Sequence, residues 1–219
     1  MFTPRLEILP QTLGRTEPYS QTFRTLWGTA LVLRLAHRSS EDFDFFSNYS
    51  FAPDFLRKAI PYLHDAEMSQ FEANTLTAIV DRTGPVKVSF FGGLALNRIQ
   101  DPDLTPDNGI QVASLLDVAA TKLATIQQRA QARDYEDIAA IIAGGISLSD
   151  ALAAASTAYG KQFNGALSLK ALTYFADGDL PQLSSRTQKQ LRTLAAQVDL
   201  QQIPVLKGKT GVAGEAVRT

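Results

Sequence analysis

The pattern of apolar and polar positions gives the two halves of the chain different characters. The apolar run ALVLRLA follows Gly28-Thr29 and predicts a helix whose N-terminus lies at the glycine. Asp42 to Phe46 alternates acidic with aromatic residues, which predicts a strand with one polar and one buried face. Two β-rich runs, Thr75 to Val80 and Val86 to Phe91, flank the turn-forming sequence DRTG and predict a hairpin.

The second half has the spacing of helices. Its first apolar stripe, between residues 112 and 143, consists of Val112, Leu115, Leu116, Ala119, Leu123 and Ile126. Ser147 or Ser149 is placed to cap a further helix that runs through Ala158. Two more helices are predicted over 167–175 and 187–198. Strands followed by helices indicate an α+β fold, not a regularly alternating one.

Two stretches rich in turn formers punctuate the chain, QDPDLTPDNG at 100–109 and ADGDLP at 176–181, and both are predicted to be surface connections. We therefore expect an α/β core in residues 1–108. A helical region in 109–204 is expected to pack on the core and complete its site. Residues 205–219, rich in glycine and small side chains, are expected to form a flexible tail.

Composition narrows the class of protein. The chain is 45% hydrophobic with a net charge of −1, so non-specific binding of duplex nucleic acid through bulk charge is not expected. It has no cysteine, which excludes disulfides and thiolate metal sites. No apolar run reaches the length of a membrane span, and the N-terminus lacks the pattern of a signal peptide. We therefore expect a cytoplasmic protein.

The sequence DFD is the first candidate for chemistry. On a strand, the side chains of Asp42 and Asp44 point the same way, with Cα atoms about 6.5 to 7 Å apart, while Phe43 and Phe45 face the opposite side. Two adjacent carboxylates are costly unless a cation lies between them, and hard oxygen ligands suit Mg²⁺. The alternative is a solvent-exposed strand edge whose aspartates serve solubility.

The Gly-Thr pair upstream favours the metal-binding interpretation of Asp42 and Asp44 over the solvent-exposed strand edge. A helix N-terminus presents unpaired N–H groups and the positive end of the helix dipole, which together favour a phosphate. Gly28 permits close approach of the backbone, and the Thr29 hydroxyl either donates a hydrogen bond or caps the helix. A Gly-Thr turn, a helix and then a DxD strand would bring a triphosphate and its metal ligands together.

Two stretches carry a family resemblance. GTALVLRLAHRSSEDFDFF resembles the signature of the AbiEii/AbiGii toxin family of nucleotidyltransferases, in which a Gly-Gly or Gly-Ser turn precedes HRxSxDxD. VASLLDVAATKLATIQQRAQARDYEDIAAII is similar to the helical motif of that family, Asp-x4-Lys followed by RDxxD. Together they span most of residues 23–143. The resemblance implies a nucleotidyltransferase fold, in which helices flank a small mixed β-sheet and a helical region follows it.

The resemblance also implies an activity. Members transfer a nucleoside monophosphate from an NTP to an acceptor. In characterised branches that acceptor is RNA, including tRNA ends. These proteins serve as the toxin of a toxin–antitoxin or phage-defence pair. The resemblance implies Mg²⁺ as the cofactor and an NTP as the substrate. It also implies a cognate antitoxin or regulator, encoded nearby, as the partner. An adjacent gene for a winged-helix regulator would favour such a pair.

Carried over residue by residue, the resemblance assigns a nucleotide site. Gly28 and Thr29 would cradle the β and γ phosphates, and Ser40 would contact phosphate. Asp42 and Asp44 would hold Mg²⁺ and position the attacking oxygen. The remaining assignments are Lys122 as a triphosphate ligand and Asp134 or Asp137 as the acid that completes the site.

Two interpretations stand for His37 and Arg38: binding of phosphate or acceptor, or a turn in which Arg38 pairs with Glu41 or an aspartate. For Asp134, a first-turn acid favoured by the helix dipole is the alternative to function.

Helix geometry separates the charged residues of the second motif. Lys122 and Arg129 are seven residues apart and share a helix face. Asp117 lies five residues before Lys122, about 140° around the axis, so a structural role is expected for it. Arg133 and Asp137 are four apart and are placed to pair with each other.

Two departures from the family pattern concern the site itself. Trp27 stands where the turn has a second glycine, and it would either stack on a base or fill the approach of the phosphates. Ser89 stands on the candidate strand where polymerase-like transferases place a third carboxylate. Unless Asp134 or Asp137 substitutes, general-base chemistry is lost. A catalytically degenerate protein that binds nucleotide or a partner on the same fold is therefore the alternative to an active transferase.

Overall fold

The computed structural model describes residues 23–25, 27–35, 42–81, 84–105 and 110–213. These residues form two compact units. The sheet unit contains the described residues up to Leu96, those of Asp101–Ser114, and those from Thr210 onward. The helical unit contains Asn97–Gln100 and Leu115–Lys209. The predicted division into residues 1–108, 109–204 and 205–219 stays a prediction.

The described strands range in length from two to seven residues. Their bounds are β1 Arg24–Thr25, β2 Asp42–Phe46, β3 Glu67–Glu72, β4 Thr75–Asp81, β5 Pro85–Phe91, β6 Asn97–Arg98, β7 Asp103–Leu104, β8 Gln111–Val112 and β9 Lys209–Thr210. Seven of them form one mixed sheet in the order β3-β4-β5-β2-β1-β8-β7, and β6 pairs with β9. In that sheet, β2 runs parallel to β5 and antiparallel to β1.

The helices follow the predicted distribution, with most of them in the second half. Their bounds are α1 Trp27–Leu35, α2 Pro53–Ala59, α3 Leu115–Thr125, α4 Ala132–Ala143, α5 Leu148–Tyr159, α6 Gly165–Ala171 and α7 Ser185–Ala196. The predicted α+β fold class is confirmed, as are the strand at 42–46 and the hairpin of β4 and β5. The apolar stripe of 112–143 is divided, because Val112 lies in β8 and a break separates α3 from α4.

One face of the sheet carries the hydrophobic core of the sheet unit. Strand alternation places Phe43 and Phe45 of β2 on this face, beside Val88 and Phe90 of β5. The rings of Phe45 and Phe90 stack with their centroids 5.1 Å apart. The other buried residues of this core are Phe23, Leu56, Ile60, Leu63, Leu76, Ala78, Val80, Val86 and Ile110. Burial of the two phenylalanines fixes the side to which Asp42 and Asp44, which alternate with them, point.

Helix α1 is anchored to the far edge of the same sheet by Arg34 in its last turn. The Arg34 guanidinium donates to the main-chain oxygens of Ala113 and Val112, the latter at 3.0 Å. It also pairs with Asp103 at 2.8 Å. Since these bonds reach β7 and β8, they fix the direction of the helix whose first turn contains Gly28.

Buried, mostly small residues and side-chain caps stabilise the helices of the helical unit. Ala151, Leu152, Ala153, Ala154 and Ala155 of α5 are all buried, so neighbouring helices approach closely. Of the two candidate caps, Ser147 is the N-cap, and its hydroxyl accepts from the Asp150 N–H at 3.0 Å. The next helices begin with Asn164 and Ser184 as caps. Among the described residues, no single helix is long and apolar enough to cross a membrane.

The segment predicted to be a flexible tail contains β9 and two buried residues, Val212 and Ala213. A Cβ atom on Gly211 would lie 2.9 Å from the Asn48 side chain, so this stretch passes close to the loop that follows β2. Residues 214–219 lie outside the described part of the chain.

Gly178, in the predicted ADGDLP connection, is required by close packing. Its φ is +56°, and a Cβ atom there would lie 2.2 Å from the main-chain oxygen of Ala130. The next residue, Asp179, caps α4 by accepting from the Ala132 N–H at 2.6 Å. We expect Gly178→Ala to lower the free energy of unfolding by about 2 kcal/mol or more, because either the backbone contact or the cap must give way.

Urea denaturation followed by circular dichroism measures this effect. The control is Gly160→Ala, since Gly160 also has a positive φ, +55°, with nothing within 4 Å of the added atom. The control is expected to lose less than Gly178→Ala, because only the cost of its backbone conformation, of order 1 kcal/mol, applies there. Equal losses for the two variants would contradict the packing explanation.

Candidate functional site

Strand β2 presents the two aspartates on one face, as its alternation predicts. Asp42 and Asp44 are half-buried, whereas Phe43 and Phe45 between and after them are buried in the core. Their carboxylates therefore project from the face opposite the hydrophobic core. We call this the Asp face of the sheet, defined by Asp42 and Asp44 and the residues in register with them on β5 and β4.

The parallel pairing of β2 with β5 determines what else lies on the Asp face. Lys87 is the register partner of Asp42, and Ser89 is the register partner of Asp44. On the next strand, Thr77 pairs with Ser89. Ser89 and Thr77 are buried and Lys87 is exposed. The position that the sequence analysis singled out for a third carboxylate thus lies beside Asp44, and it is occupied by a hydroxyl side chain.

Lys87 was missed by the sequence reasoning. It alternates with Val86 and Val88 on its strand, so it was identifiable as a polar-face residue. Its position next to Asp42 follows only from the pairing of two strands that lie 45 residues apart in the chain.

Thr29 joins the Gly-Thr turn to the DxD strand. Helix α1 begins at Trp27, so Gly28 and Thr29 lie in its first turn. The Thr29 hydroxyl, which is buried, donates to the main-chain oxygen of Asp42 at 3.1 Å. The hydroxyl proton is therefore used to hold the strand, and the backbone of the turn lies next to the start of the Asp face.

We expect Thr29→Val to lower the free energy of unfolding by about 1 to 2 kcal/mol, because the Asp42 main-chain oxygen loses this donor in a partly buried hydrogen bond. Valine has nearly the shape of threonine, so packing is retained. Thr29→Ser, which keeps the hydroxyl, is the control and is expected to lose less. Chemical denaturation of the two variants measures the difference, and a serine variant that is the less stable of the two would contradict this role of the hydroxyl.

The charged residues of the second motif form a cluster inside the helical unit. The Lys122 ammonium group lies 2.7 Å from Asp134 Oδ1 and 2.7 Å from Asp137 Oδ2. The exposed fractions of these three side chains are 4%, 1% and 0%, which makes this a buried ion cluster. Arg129, half-exposed, adds a second cation by donating to both oxygens of Asp134, at 2.8 and 3.3 Å.

The prediction that Lys122 and Arg129 share a helix face is wrong, because α3 ends at Thr125 and Arg129 lies beyond it, after a turn. Both converge on Asp134, and Asp137 pairs with Lys122. The assignment of Lys122 as a triphosphate ligand stays a prediction, as do the roles of Asp134 and Asp137 in completing the site. In this structure the three residues bind one another.

Asp117 has the structural role that helix geometry indicates. Its two carboxylate oxygens accept from the main-chain N–H groups of Ile99, at 2.7 Å, and Gln100, at 3.2 Å. The side chain is buried within the helical unit. It therefore holds the segment that includes β6 against α3.

Tyr135, next to Asp134, has a raised pKa. Burial, followed by the negative charges of Asp134 and Asp177, raises the pKa of Tyr135 from 10.0 to about 12. The unfolded chain loses this proton first, so the contribution to stability is fully present below pH 10 and is lost as the pH rises through about 12. The Tyr135 ring also packs edge-on against Phe175, with the centroids 6.1 Å apart.

In an alkaline titration of the folded protein, we expect Tyr135 to ionise in a late step near pH 12. Ultraviolet absorbance of tyrosinate measures it. Tyr135→Phe is expected to remove the late step, and the control Tyr174→Phe, at an exposed tyrosine, to leave it in place. A late step that survives in Tyr135→Phe would contradict the assignment.

Two predicted nucleotide ligands, Arg38 and Ser40, lie outside the described residues, as do His37 and Glu41. Within the described part of the chain, no group of three or more histidines and carboxylates is placed to hold a metal ion. Asp42 and Asp44 form a pair of carboxylates on one face. A pair is what Mg²⁺ takes when substrate phosphates and water supply its remaining ligands, so the donor set fits a nucleotide-bound Mg²⁺.

A mixed sheet with paired aspartates on one strand, and a Gly-Thr turn bonded to that strand, is the arrangement of a nucleotidyltransferase fold. The model of the family of nucleotidyltransferase AbiEii toxins, from type IV toxin–antitoxin systems, matches residues 28–205. This match covers most of the chain, and the chain belongs to that family. An uncharacterised protein of Aquifex aeolicus is 32% identical over 113 residues, which are 51% of this chain and 53% of that protein. The chain thus spans about half the length of this relative.

Three solved structures share the fold. A candidate nucleotidyltransferase from H. pylori has a TM-score of 0.55 at 18% identity, covering 88% of this chain and 92% of its own. MenT4, a nucleotidyltransferase toxin from Mycobacterium tuberculosis, has a TM-score of 0.52 at 14% identity, with 92% of each chain covered. An antigenic nucleotidyltransferase-like protein from Paracoccidioides brasiliensis has a TM-score of 0.52 at 17% identity, covering 84% of this chain and 93% of its own.

Proposed function

We propose that the protein is a Mg²⁺-dependent nucleotidyltransferase that moves a nucleoside monophosphate from an NTP to RNA, tRNA among the acceptors, and acts in the cytoplasm as a toxin or phage-defence protein. The observation that supports this most directly is the hydrogen bond from Thr29 to the Asp42 main-chain oxygen at 3.1 Å. It joins the two parts of the site that a nucleotide with its metal ion requires. A cognate antitoxin, encoded nearby, is the proposed partner.

The residues of the Asp face have separable tasks in such a reaction. The first turn of α1, with Gly28, offers backbone N–H groups to the triphosphate. Asp42 and Asp44 would hold Mg²⁺, which when bound neutralises negative charge on the reacting phosphates. Lys87, exposed beside Asp42, adds a cation on the same face. This arrangement binds and orients a nucleotide, and positioning of this kind supplies most of the catalysis in phosphoryl transfer.

A label-transfer assay tests the proposal. The purified protein is incubated with each α-labelled NTP, Mg²⁺ and total cellular RNA, and the RNA is separated on a denaturing gel. We expect label in RNA with one NTP or a subset of NTPs, and none when EDTA is present. Absence of label with all four nucleotides, in every RNA fraction, would overturn the proposal.

A second candidate function is supported by Ser89. Because a hydroxyl side chain lies beside Asp44 in place of a carboxylate, the site is also suited to a protein that binds Mg-NTP without turning it over. Isothermal titration calorimetry separates the two. Mg²⁺-dependent binding of an NTP without pyrophosphate release in the presence of RNA supports the binding protein, whereas steady pyrophosphate release excludes it.

A further inference from the structure

The exposed charges of the helical unit, all of whose residues are described, are predominantly positive. Nine lysines and arginines are exposed in this unit, against five aspartates and glutamates. Part of the difference arises because Asp117, Asp134 and Asp137 are buried. The whole chain, in contrast, has a net charge of −1. The surface of the helical unit therefore attracts anions, although the chain as a whole is nearly neutral.

Helix α7 carries three of these cations in succession. Its sequence, SRTQKQLRTLAA, contains no carboxylate. Arg186, Lys189 and Arg192 are all exposed and follow one another at intervals of three residues. Side chains at this spacing are neighbours on a helix surface, with Cβ atoms about 5 to 6 Å apart. We call these three residues the basic stripe of α7. Helices that only face water usually mix charges of both signs, so a stripe of one sign favours an anionic ligand.

An exposed aromatic ring lies next to the end of the basic stripe. The Arg192 guanidinium lies 4.8 Å from the centroid of the Phe175 ring, and its Nε–H donates to the main-chain oxygen of Thr173 at 3.4 Å. These contacts hold Arg192 beside the residue between them, Tyr174, whose side chain is 53% exposed. A guanidinium has five N–H donors, of which this hydrogen bond uses one. Because Arg192 is already positioned, it loses less side-chain entropy when it binds an anion.

Cations next to an exposed aromatic ring match the chemistry of single-stranded RNA. Lysine and arginine pair with its phosphates, and an aromatic ring stacks on an unpaired base. A duplex offers phosphates but keeps its bases stacked on one another. An acidic protein segment would pair with the basic stripe, but it has no base to stack on Tyr174. The combination therefore favours single-stranded RNA over both.

We propose, as an extension of the proposed function and resting on it for the role of the RNA as acceptor, that the basic stripe of α7 and Tyr174 bind a single-stranded segment of that RNA. The stripe contacts phosphates, and the Tyr174 ring stacks on an unpaired base. This surface holds the RNA and makes no contact with the reacting atoms. Its loss is therefore expected to raise the KM for RNA and to leave kcat unchanged.

The first test removes charge from the basic stripe. Fluorescence anisotropy of a labelled single-stranded RNA of mixed sequence measures binding by the full-length protein without NTP. Arg186→Gln combined with Lys189→Gln is expected to weaken binding about tenfold. The slope of log K against log salt is expected to fall in magnitude by about 1.4, since each phosphate contact on a single strand contributes about 0.7.

The matched control for this double variant is Lys161→Gln combined with Lys207→Gln. It removes the same charge from exposed positions of the same unit that lie outside the basic stripe. The control is expected to change the affinity by less than about twofold, because exposed charges away from the ligand are screened by salt. All four positions are exposed, so both proteins are expected to fold, and circular dichroism checks this.

The second test removes the aromatic ring. Tyr174→Ala is expected to weaken binding of single-stranded RNA about tenfold, the effect of one lost base stack. Tyr174→Phe keeps the ring and is the matched control, with an affinity within about twofold of wild type. Binding of a blunt RNA duplex is expected to be insensitive to Tyr174→Ala. In label transfer, the alanine variant is expected to raise the KM for RNA by a similar factor, with kcat within about twofold.

The outcomes separate this inference from the proposed function. RNA affinity that is unchanged in the double variant and in Tyr174→Ala overturns the RNA surface and leaves the transferase standing. Weaker RNA binding by these variants of a protein that transfers no label overturns the transferase and supports the surface as an RNA site. Labelled poly-L-glutamate is the remaining probe. If it binds the basic stripe as well as RNA does, and Tyr174→Ala weakens neither, the surface belongs to an acidic protein partner and the RNA inference is overturned.

Discussion

Asp42→Asn is expected to lower the rate of label transfer to RNA by at least about a thousandfold, since stabilisation of the transition state by the proposed Mg²⁺ would be worth several kcal/mol. The variant removes one of two carboxylates that share the Asp face, and Asp44 alone holds a nucleotide-bound cation poorly. Asparagine keeps nearly the same volume. It also keeps the main-chain oxygen to which Thr29 donates, so the fold is expected to remain intact.

The control for Asp42→Asn is Glu72→Gln, which removes one negative charge from the exposed edge strand β3 of the same sheet. It is expected to leave label transfer within about twofold, because exposed charges are largely screened by salt. Calorimetry supplies a second readout, in which Asp42→Asn loses Mg²⁺-dependent binding of NTP. Unchanged label transfer by a folded Asp42→Asn protein would show that the DxD strand is not part of the active site.

Lys122→Met is expected to lower the free energy of unfolding by about 3 to 5 kcal/mol, because it leaves the buried carboxylates of Asp134 and Asp137 without their shared cation. This is a large share of the roughly 5 to 15 kcal/mol that stabilises a typical domain. Urea denaturation, monitored by the circular dichroism of the helices, measures the loss.

Arg129→Met is the matched control for Lys122→Met. The Arg129 side chain is 43% exposed, so its pairing with Asp134 is screened by water and its loss is expected to cost about 1 kcal/mol or less. Adding Asp134→Asn and Asp137→Asn to Lys122→Met is expected to restore part of the stability, since no buried carboxylate is then left without its cation. A Lys122→Met protein as stable as wild type would show that Lys122 is not needed inside the helical unit.

The site was predictable where it depends on local pattern. The alternation of Asp42 to Phe46 gives both the strand and the side to which the aspartates point, because the period of a strand is two. The hairpin of β4 and β5 follows from the two β-rich runs and the turn between them. The cap at Ser147 is likewise a local signal.

The pairing of strands that are distant in the chain could not be predicted from the sequence. Nothing in the two segments specifies that β2 runs beside β5 in the register that pairs Asp42 with Lys87. The edge strand β3, with the sequence EMSQFE, was not predicted, because its side chains are mostly exposed and lack alternation. The burial of Lys122 was not foreseen either, since lysine is almost never fully buried unless it is paired, and its partners lie on a different helix.

The bond between Thr29 and Asp42 has a consequence for how such proteins diverge. Thr29 donates to the main-chain oxygen at position 42, and every amino acid has this oxygen. The bond does not involve the carboxylate that is proposed to hold the metal ion. Replacement of that side chain therefore leaves the helix and the strand joined. A lineage in which the activity became harmful to its host could lose the chemistry by a single substitution and keep a stable, expressed protein. We accordingly expect inactive homologues with this fold to persist in genomes and to acquire other functions.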